Sequence, residues 1–187
     1  MREINKRCVW CNVNNPVYVD YHDNEWGVPC HDDHALFELL ILEGFQAGLS
    51  WETILNKREN FRAAFDGFDL DKVAGYGQEK IDELLQDKGI VRNRRKVNAA
   101  VKNANVFKEI QSEFGSFSDY IWGWTNGEII YENDKVTSEL SDKISKDLKK
   151  RGMTFVGSTI IYSYLQATGV INSHEDGCYK YKKHESV

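Results

Sequence analysis

The sequence predicts an all-α fold, on three observations. Only two prolines occur in 187 residues, closely spaced turn signals of the kind that punctuate short strands are few, and apolar residues recur at intervals of three and four through most of the chain. No Pro- or Gly-rich stretch divides it, so residues 1–187 are expected to fold as one unit around a substantial core. The hydrophobic fraction of 41% and the charged fraction of 28% are ordinary for a globular protein.

The early segment YVDYHDNEWGVPCHDD (18–33) reads as a loop, yet it packs Tyr21, His22, Glu25 and Trp26 into a short span, more chemistry than a connector requires. A helix follows over DDHALFELLILEGFQAGL. It has an aspartate N-cap candidate, Leu36, Leu39, Leu40 and Ala47 at helical spacing, and Gly48 near its end. Ser50 can cap a second helix, WETILNKRENFRAAF, in which Trp51, Ile54, Leu55, Phe61 and Phe65 keep the helical period until DGFD stops it. QEKIDELLQDKG and the longer RNRRKVNAAVKNANVFKEIQSEFG are helices closed by Gly89 and Gly115. SFSDYIWGW is a further short helix, and TNGEIIYENDKV is expected to be irregular around its Asn-Gly turn. SELSDKISKDLKKRG, MTFVG and STIIYSYLQATG read as helix, tight connector and helix.

The N-terminus MREINKRCVW has no apolar stretch of signal-peptide length and no later segment is long enough to span a bilayer, so a cytoplasmic protein with no membrane partner is expected. In that reducing compartment Cys8, Cys11, Cys30 and Cys178 are expected as free thiols or metal ligands. A net charge of -5 leaves no global footprint of a nucleic-acid binder, so any such binding must be local. The MTFVG connector offers one place. Its amides and the start of the next helix can receive a backbone phosphate, with Gly157 permitting close approach, Ser158 and Thr159 adding hydroxyls, and Lys146, Lys149, Lys150 and Arg151 just upstream. From the pattern alone, a plain αα-hairpin with a solvated basic face is the favoured alternative. Arg92, Arg94, Arg95 and Lys96 form a second cluster at the start of the long helix. There they oppose its macrodipole, and a phosphate partner would relieve that.

His174 and Cys178 in HEDGC are four residues apart and can face one way as metal ligands. With Cys8 and His22 they would make a tetrahedral zinc site joining the two chain ends. Cys8 and Cys11 of CVWC are a competing pair, and ordinary unliganded residues account for the pattern as well. Glu43 lies seven residues after Leu36 and four after Leu39, which puts its carboxylate on the apolar face, where it needs a donor, a cation or a proton. An internal salt bridge would answer it. So would a ligand bearing donors or positive charge, stacked among Trp10, Tyr21, Trp26 and Trp51.

YHDNEWGVP (21–29), LEGFQAGLSWETIL (42–55), KRENFRAAF (57–65), KKRGMTFVGSTIIYSYLQATG (149–169) and HEDGC (174–178) together resemble the bacterial 3-methyladenine DNA glycosylase I family, over nearly the whole chain. The resemblance implies the all-α helix-hairpin-helix glycosylase fold, with the hairpin element near residues 139–169. It implies one structural zinc ion, held by Cys8, His22, His174 and Cys178, that ties segments 1–30 and 170–187 and leaves Cys11 and Cys30 as spectators. The purine pocket it implies sets Glu43, the catalytic and base-reading residue, against the adenine edge and stacks the base with Tyr21, Trp51 and Trp10. Leu49 in QAGLSW is the implied wedge for the gap left by eversion, with Gly157, Ser158 and Thr159 on DNA.

The implied activity is hydrolytic excision of 3-methyladenine from alkylated double-stranded DNA, leaving an abasic site without cutting the strand; an enzyme that needs one face of the duplex is expected as a monomer. The family generally lacks the aspartate that many glycosylases of this fold carry after the hairpin. Here the only aspartate in VINSHEDGC is Asp176, to which a surface role or one beside the proposed ligands falls. The rival functions are a non-catalytic, zinc-stabilised DNA-binding module and a hydrolase of free purine nucleosides.

Overall fold

The chain's computed structural model describes residues 6–182, and its first helix lies where the sequence reads as loop. Helix α1 (Pro16–Asn24) starts with Asn15 as N-cap, accepting from the Val17 N–H, and with Pro16 in the first turn, where its missing N–H costs nothing. Its buried residues are Tyr18, Tyr21 and His22. They keep helical spacing, but their polar tips hide the stripe from a count of aliphatic residues.

Helix α2 (Asp33–Gln46) is capped by Asp32, and every residue from Leu36 to Phe45 is buried. A helix covered on all sides is a central one, and this one buries two carboxylates, Glu38 and Glu43. The single helix expected over 51–65 is two, α3 (Trp51–Asn56) and α4 (Arg58–Ala64), broken at Lys57. The break has a tertiary cause. The Lys57 ammonium donates to the Gly89 carbonyl at 3.1 Å, and Arg58, opening α4, donates to Glu38 and bidentately to Glu25 at 2.6 and 2.7 Å. Arg62, one turn on, also donates to Glu38, at 3.0 Å.

A short 3-10 turn leads to α5 (Leu70–Ala74), which no periodic run in the sequence announced. Helices α6 (Gln78–Leu84), α7 (Arg94–Phe114) and α8 (Phe117–Gly123) follow near their expected places. Strand β1 (Ile130–Tyr131), inside the segment expected to be irregular, pairs in parallel with β2 (Ile171–Asn172), matching Ile130 to Ile171. Between them α9 (Glu139–Arg151) and α10 (Ser158–Ala167) form the helix, connector and helix. Ser138 caps α9 in a reciprocal box with Ser141, and Ser145 Oγ donates to the Val156 carbonyl at 2.6 Å, fixing the connector to α9.

Helix α10 packs on α9 and α2, and α7 packs on α2, α5 and α8. The Tyr164 hydroxyl, on α10, donates to the Leu36 carbonyl of α2 within the core. The segment leaving α1 crosses the end of α10 through Gly27 N–H to the Gln166 carbonyl and Cys30 N–H to the Thr168 carbonyl, both 3.0 Å. Gly169 permits that crossing. Its φ is +74°, and a Cβ there would lie 2.4 Å from the Val28 carbonyl carbon. Among the described residues no helix is long and apolar enough to cross a membrane.

Arg58 therefore joins α4 to α2 and to the end of α1. Replacing it by Met leaves Glu38, only 4% exposed, to Arg62 alone and removes both bonds to Glu25. Leaving a buried charge with no partner costs about 3–5 kcal/mol; with Arg62 still in place, Arg58→Met should lower the urea midpoint by a part of that. An unchanged midpoint would show that these ion pairs do not hold the three elements.

Candidate functional site

Adjacent residues of α1 serve two neighbouring sites. His22 meets the chain ends: Cys8 Sγ, His22 Nε2 and Cys178 Sγ all lie within 4.8 Å of one another, and all three residues are buried. His22 Nδ1 sits 2.8 Å from Asp23 Oδ1, so the ring proton belongs there and the Nε2 lone pair faces the sulfurs. Asp23 is in turn held by the Arg7 fork at 2.8 and 2.6 Å, and that guanidinium keeps its carboxyl well below the usual carboxylate range.

His174 is outside the 4.8 Å set but beside it, its ring centroid 5.3 Å from that of His22. Its Nδ1 lies 3.0 Å from Asn172 Oδ1, while its Nε2 is buried with no hydrogen-bond partner. Gly27 makes room for this ring, since a Cβ there would come within 2.9 Å of His174 Cε1. Backbone N–H groups of Glu175 and Lys180 point at the sulfurs of Cys8 and Cys178, each at 3.5 Å. Burial pushes the Cys8 thiol up and pulls the His174 imidazole down to about 4. The competing cysteine pair does not form, because the Cys11 thiol turns to the Tyr18 carbonyl. Cys30 lies apart near the Asp32 carbonyl, and Asp176 is exposed.

Tyr21 faces the other way, into a cavity of about 390 Å³ whose walls include Trp10, Tyr18, Trp26, Glu43 and Trp51. All four residues the sequence assigned to a pocket, Trp10, Tyr21, Glu43 and Trp51, are here. The Tyr21 and Trp51 rings are 5.4 Å apart, and Trp10 meets Trp26 edge-on at 4.7 Å. Trp26 also meets His174 at 4.7 Å, so one ring forms pocket wall on one side and packs against the chain-end cluster on the other.

Glu43 is 3% exposed, and its Oε2 has no hydrogen-bond partner. Burial pushes its carboxyl up to about 8. The Trp51 indole N–H is likewise buried and unpartnered. A buried acceptor and a buried donor, both unanswered among aromatic faces, suit a flat ligand with polar edges.

The sequence reading missed part of the wall. Gln46 stands one turn beyond Glu43 on α2, and Ser163 and Gln166 stand one turn apart on α10. Helical spacing carried that signal. Ser173, Glu175 and the loop Asn133–Val136 arrive through the pairing of β1 with β2, for which no local signal exists.

Leu49 is 40% exposed, in the α2–α3 loop beside the pocket, with its N–H on the Gln46 carbonyl at 2.7 Å. Gly157 is the N-cap of α10, and Thr159 is exposed. The Ser158 hydroxyl is committed within the protein, to Ser141 Oγ and the Asp142 carboxylate, which leaves the backbone N–H as what Ser158 can offer an anion.

A family model described as methyladenine glycosylase matches residues 10–181. The chain belongs to the methyladenine glycosylase family. It is 46% identical to DNA-3-methyladenine glycosylase 1 of Escherichia coli strain K12 over 92% of this chain and 95% of that protein. A crystal structure of a 3-methyladenine DNA glycosylase I superposes with a TM-score of 0.91 at 43% identity, covering 95% of this chain and 100% of the other. A substituted glycosylase of the same kind, solved in complex with 3-methyladenine, gives 0.90 at 36% identity, covering 95% and 98%. The likeness thus extends over nearly the whole chain.

Glu43 gives this methyladenine glycosylase a pH signature. Its folded pKa lies above the usual 4.5, so on raising the pH the unfolded chain releases this proton first. Stability from this group is full below 4.5 and is lost as pH rises towards about 8. The loss is on the order of a few kcal/mol. Urea midpoints taken from pH 5 to pH 8 should fall more steeply for the native protein than for Glu43→Gln; parallel profiles would contradict the assignment.

Proposed function

We propose that this protein is a monofunctional DNA glycosylase that everts 3-methyladenine from alkylated double-stranded DNA and hydrolyses its N-glycosidic bond, leaving an abasic site. The observation that carries the reading is the Glu43 carboxylate, buried without a partner in an aromatic cavity, in a family with a member solved around that base.

Methylation at N3 gives the adenine a formal positive charge, and the base departs as a neutral molecule when the bond to the sugar breaks. The leaving group is already good, so protonation of the base is not needed. What the pocket must supply is eversion, recognition and relief of the developing sugar cation. Glu43 accepts hydrogen bonds from the donors on the methylated adenine edge, and its charge favours a cation over unmodified adenine. Tyr21, Trp51 and Trp10 provide faces for stacking. Leu49 fills the gap that the everted nucleotide leaves, while the Gly157 cap and the first turn of α10 receive a backbone phosphate, with Thr159 beside it.

At the chain ends Cys8, His22, His174 and Cys178 would hold one zinc ion. Two buried thiols, an imidazole oriented by Asp23 and an unanswered imidazole nitrogen fit the borderline-soft donor set that zinc takes. Bound there, zinc supplies a structural cross-link between the two ends of the chain. The tie sets Trp26 against His174 and so steadies one wall of the cavity.

Incubation with methylated duplex DNA should release 3-methyladenine without strand cleavage. Glu43→Gln should lower both the affinity for the free base and the single-turnover excision rate by at least tenfold. Duplex binding with no base released would favour the DNA-binding module, and release from nucleosides but not from duplex would favour the nucleoside hydrolase. Metal analysis separates the zinc assignment: Cys178→Ser should lose the stoichiometric ion and melt at a lower temperature. Zinc retained at one per chain with unchanged affinity would break the four-ligand set.

A further inference from the structure

Lys96 belongs by sequence to the basic cluster at the start of α7, yet it is 7% exposed and turned into the protein. Its ammonium donates to the Phe45 carbonyl at 2.7 Å and to the Ala47 carbonyl at 2.6 Å. Phe45 is in the last turn of α2 and Ala47 is its C-cap, where carbonyls have no intrahelical partner. A cation there satisfies them and sits at the negative end of the α2 dipole. Two residues after Ala47 comes Leu49, and two before Phe45 comes Glu43. Lys96 thus anchors the junction between the base-reading helix and the exposed leucine loop.

Seven residues along α7, on the same face, Asn103 makes a matching pair of bonds. Its Oδ1 accepts from the Thr154 N–H and its Nδ2 donates to the Thr154 carbonyl, both at 2.9 Å. Thr154 lies in the connector between α9 and α10. The next residue, Phe155, holds a φ of +55° against the backbone of Gly44 on α2, where a Cβ would meet the Phe155 Cβ at 3.6 Å. One straight helix therefore grips both the Leu49 loop and the connector through buried polar side chains, each bonded to backbone.

We infer that Lys96 and Asn103 are positioning residues for base eversion: α7 acts as a spacer that fixes the Leu49 loop relative to the α9–α10 connector, so that wedge and phosphate cradle engage the duplex in register. The inference rests on the reading of Leu49 as the wedge. A hydrophobic side chain of similar length at residue 96 leaves two carbonyls unanswered and frees the loop, while the pocket walls stay in place. The loss should then fall on eversion from a base-paired duplex, and hardly on the pocket.

The test compares methylated duplex DNA with the same DNA heat-denatured, in single-turnover excision at saturating protein, alongside fluorescence titration of free 3-methyladenine and thermal melting. Lys96→Met should slow excision from duplex at least tenfold, change excision from denatured DNA less than threefold, and leave free-base affinity within twofold. Lys96→Arg, which keeps charge and donors, should recover most of the duplex rate. Asn103→Leu should raise the protein concentration needed for half-saturation of duplex more than it lowers the maximal rate. If Lys96→Met does not fold, Lys96→Gln, which keeps a donor, should show the same duplex-selective loss. Equal losses on both DNAs, or none, would overturn the inference. Leu49→Ala separates this from the wedge reading: a duplex-selective loss in Leu49→Ala without one in the Lys96 variants sinks the positioning role alone, whereas no duplex-selective loss in Leu49→Ala sinks the wedge and with it the inference.

Discussion

Glu43 sits on a helix whose surface is covered on every side, with neither arginine nor hydrogen bond to hold its charge, whereas Glu38, five residues earlier on the same helix, is answered by Arg58 and Arg62. The contrast is the constraint around which the rest is arranged. Both carboxylates are equally buried, so burial alone does not mark the site. What marks it is that the fold satisfies one and leaves the other open to a cavity. An ionised carboxylate cannot stay unpaired in such a place, so Glu43 holds its proton until a ligand brings charge or donors. Neutral adenine brings donors without charge. On the proposed reading the methylated base brings both, and the pocket would prefer it by the electrostatic work that would otherwise go into ionising Glu43 alone.

That arrangement depends on walls that do not move, and the chain ends supply one of them. Tyr21 and His22 are neighbours on α1 and necessarily diverge, one into the cavity and one to the thiols. Trp26, just past the helix end, touches both Trp10 in the pocket and His174 in the cluster. Any displacement of the terminal segments is therefore transmitted to an aromatic face across which the base would lie. Glu25, between them, is pinned by Arg58, which also holds Glu38. The loop-like string that begins with Tyr21 is dense because it joins three things: a metal-type cluster, a pocket and an ion-pair junction.

Much of this was legible in sequence where a local rule and the tertiary outcome agree. Helices α2, α7, α9 and α10 have strong periodicity and clear caps, and all four form near their expected bounds. Glu43 was legible because a carboxylate at an apolar position is a conflict that needs a resolution. Glu38 carried no such signal, because the two arginines that answer it come from another helix. The break at Lys57 is set by a carbonyl 32 residues away, beyond the reach of any window. Helix α1 was hidden because its inner face is Tyr and His, and the Asn133–Val136 wall because a two-residue strand pairing places it. Lys96 was misread in kind: on a helical wheel it joins the basic cluster, and only the packing of α7 against α2 turns it inward.

The acidic net charge fits this division of labour. Several of the protein's arginines are spent internally: Arg7 on Asp23, Arg58 on Glu25 and Glu38, Arg62 on Glu38 and Glu59, and Arg151 on Glu113 and Asp147. Even Arg94, at the start of α7, pairs with Asp82. With these guanidinium groups fixing the protein's own helices, the cations left exposed beside the α9–α10 connector are lysines, Lys146, Lys149 and Lys150. On the proposed reading, backbone groups at the α10 N-terminus would place the duplex, and the favourable free energy would come chiefly at the step at which a cationic base reaches Glu43.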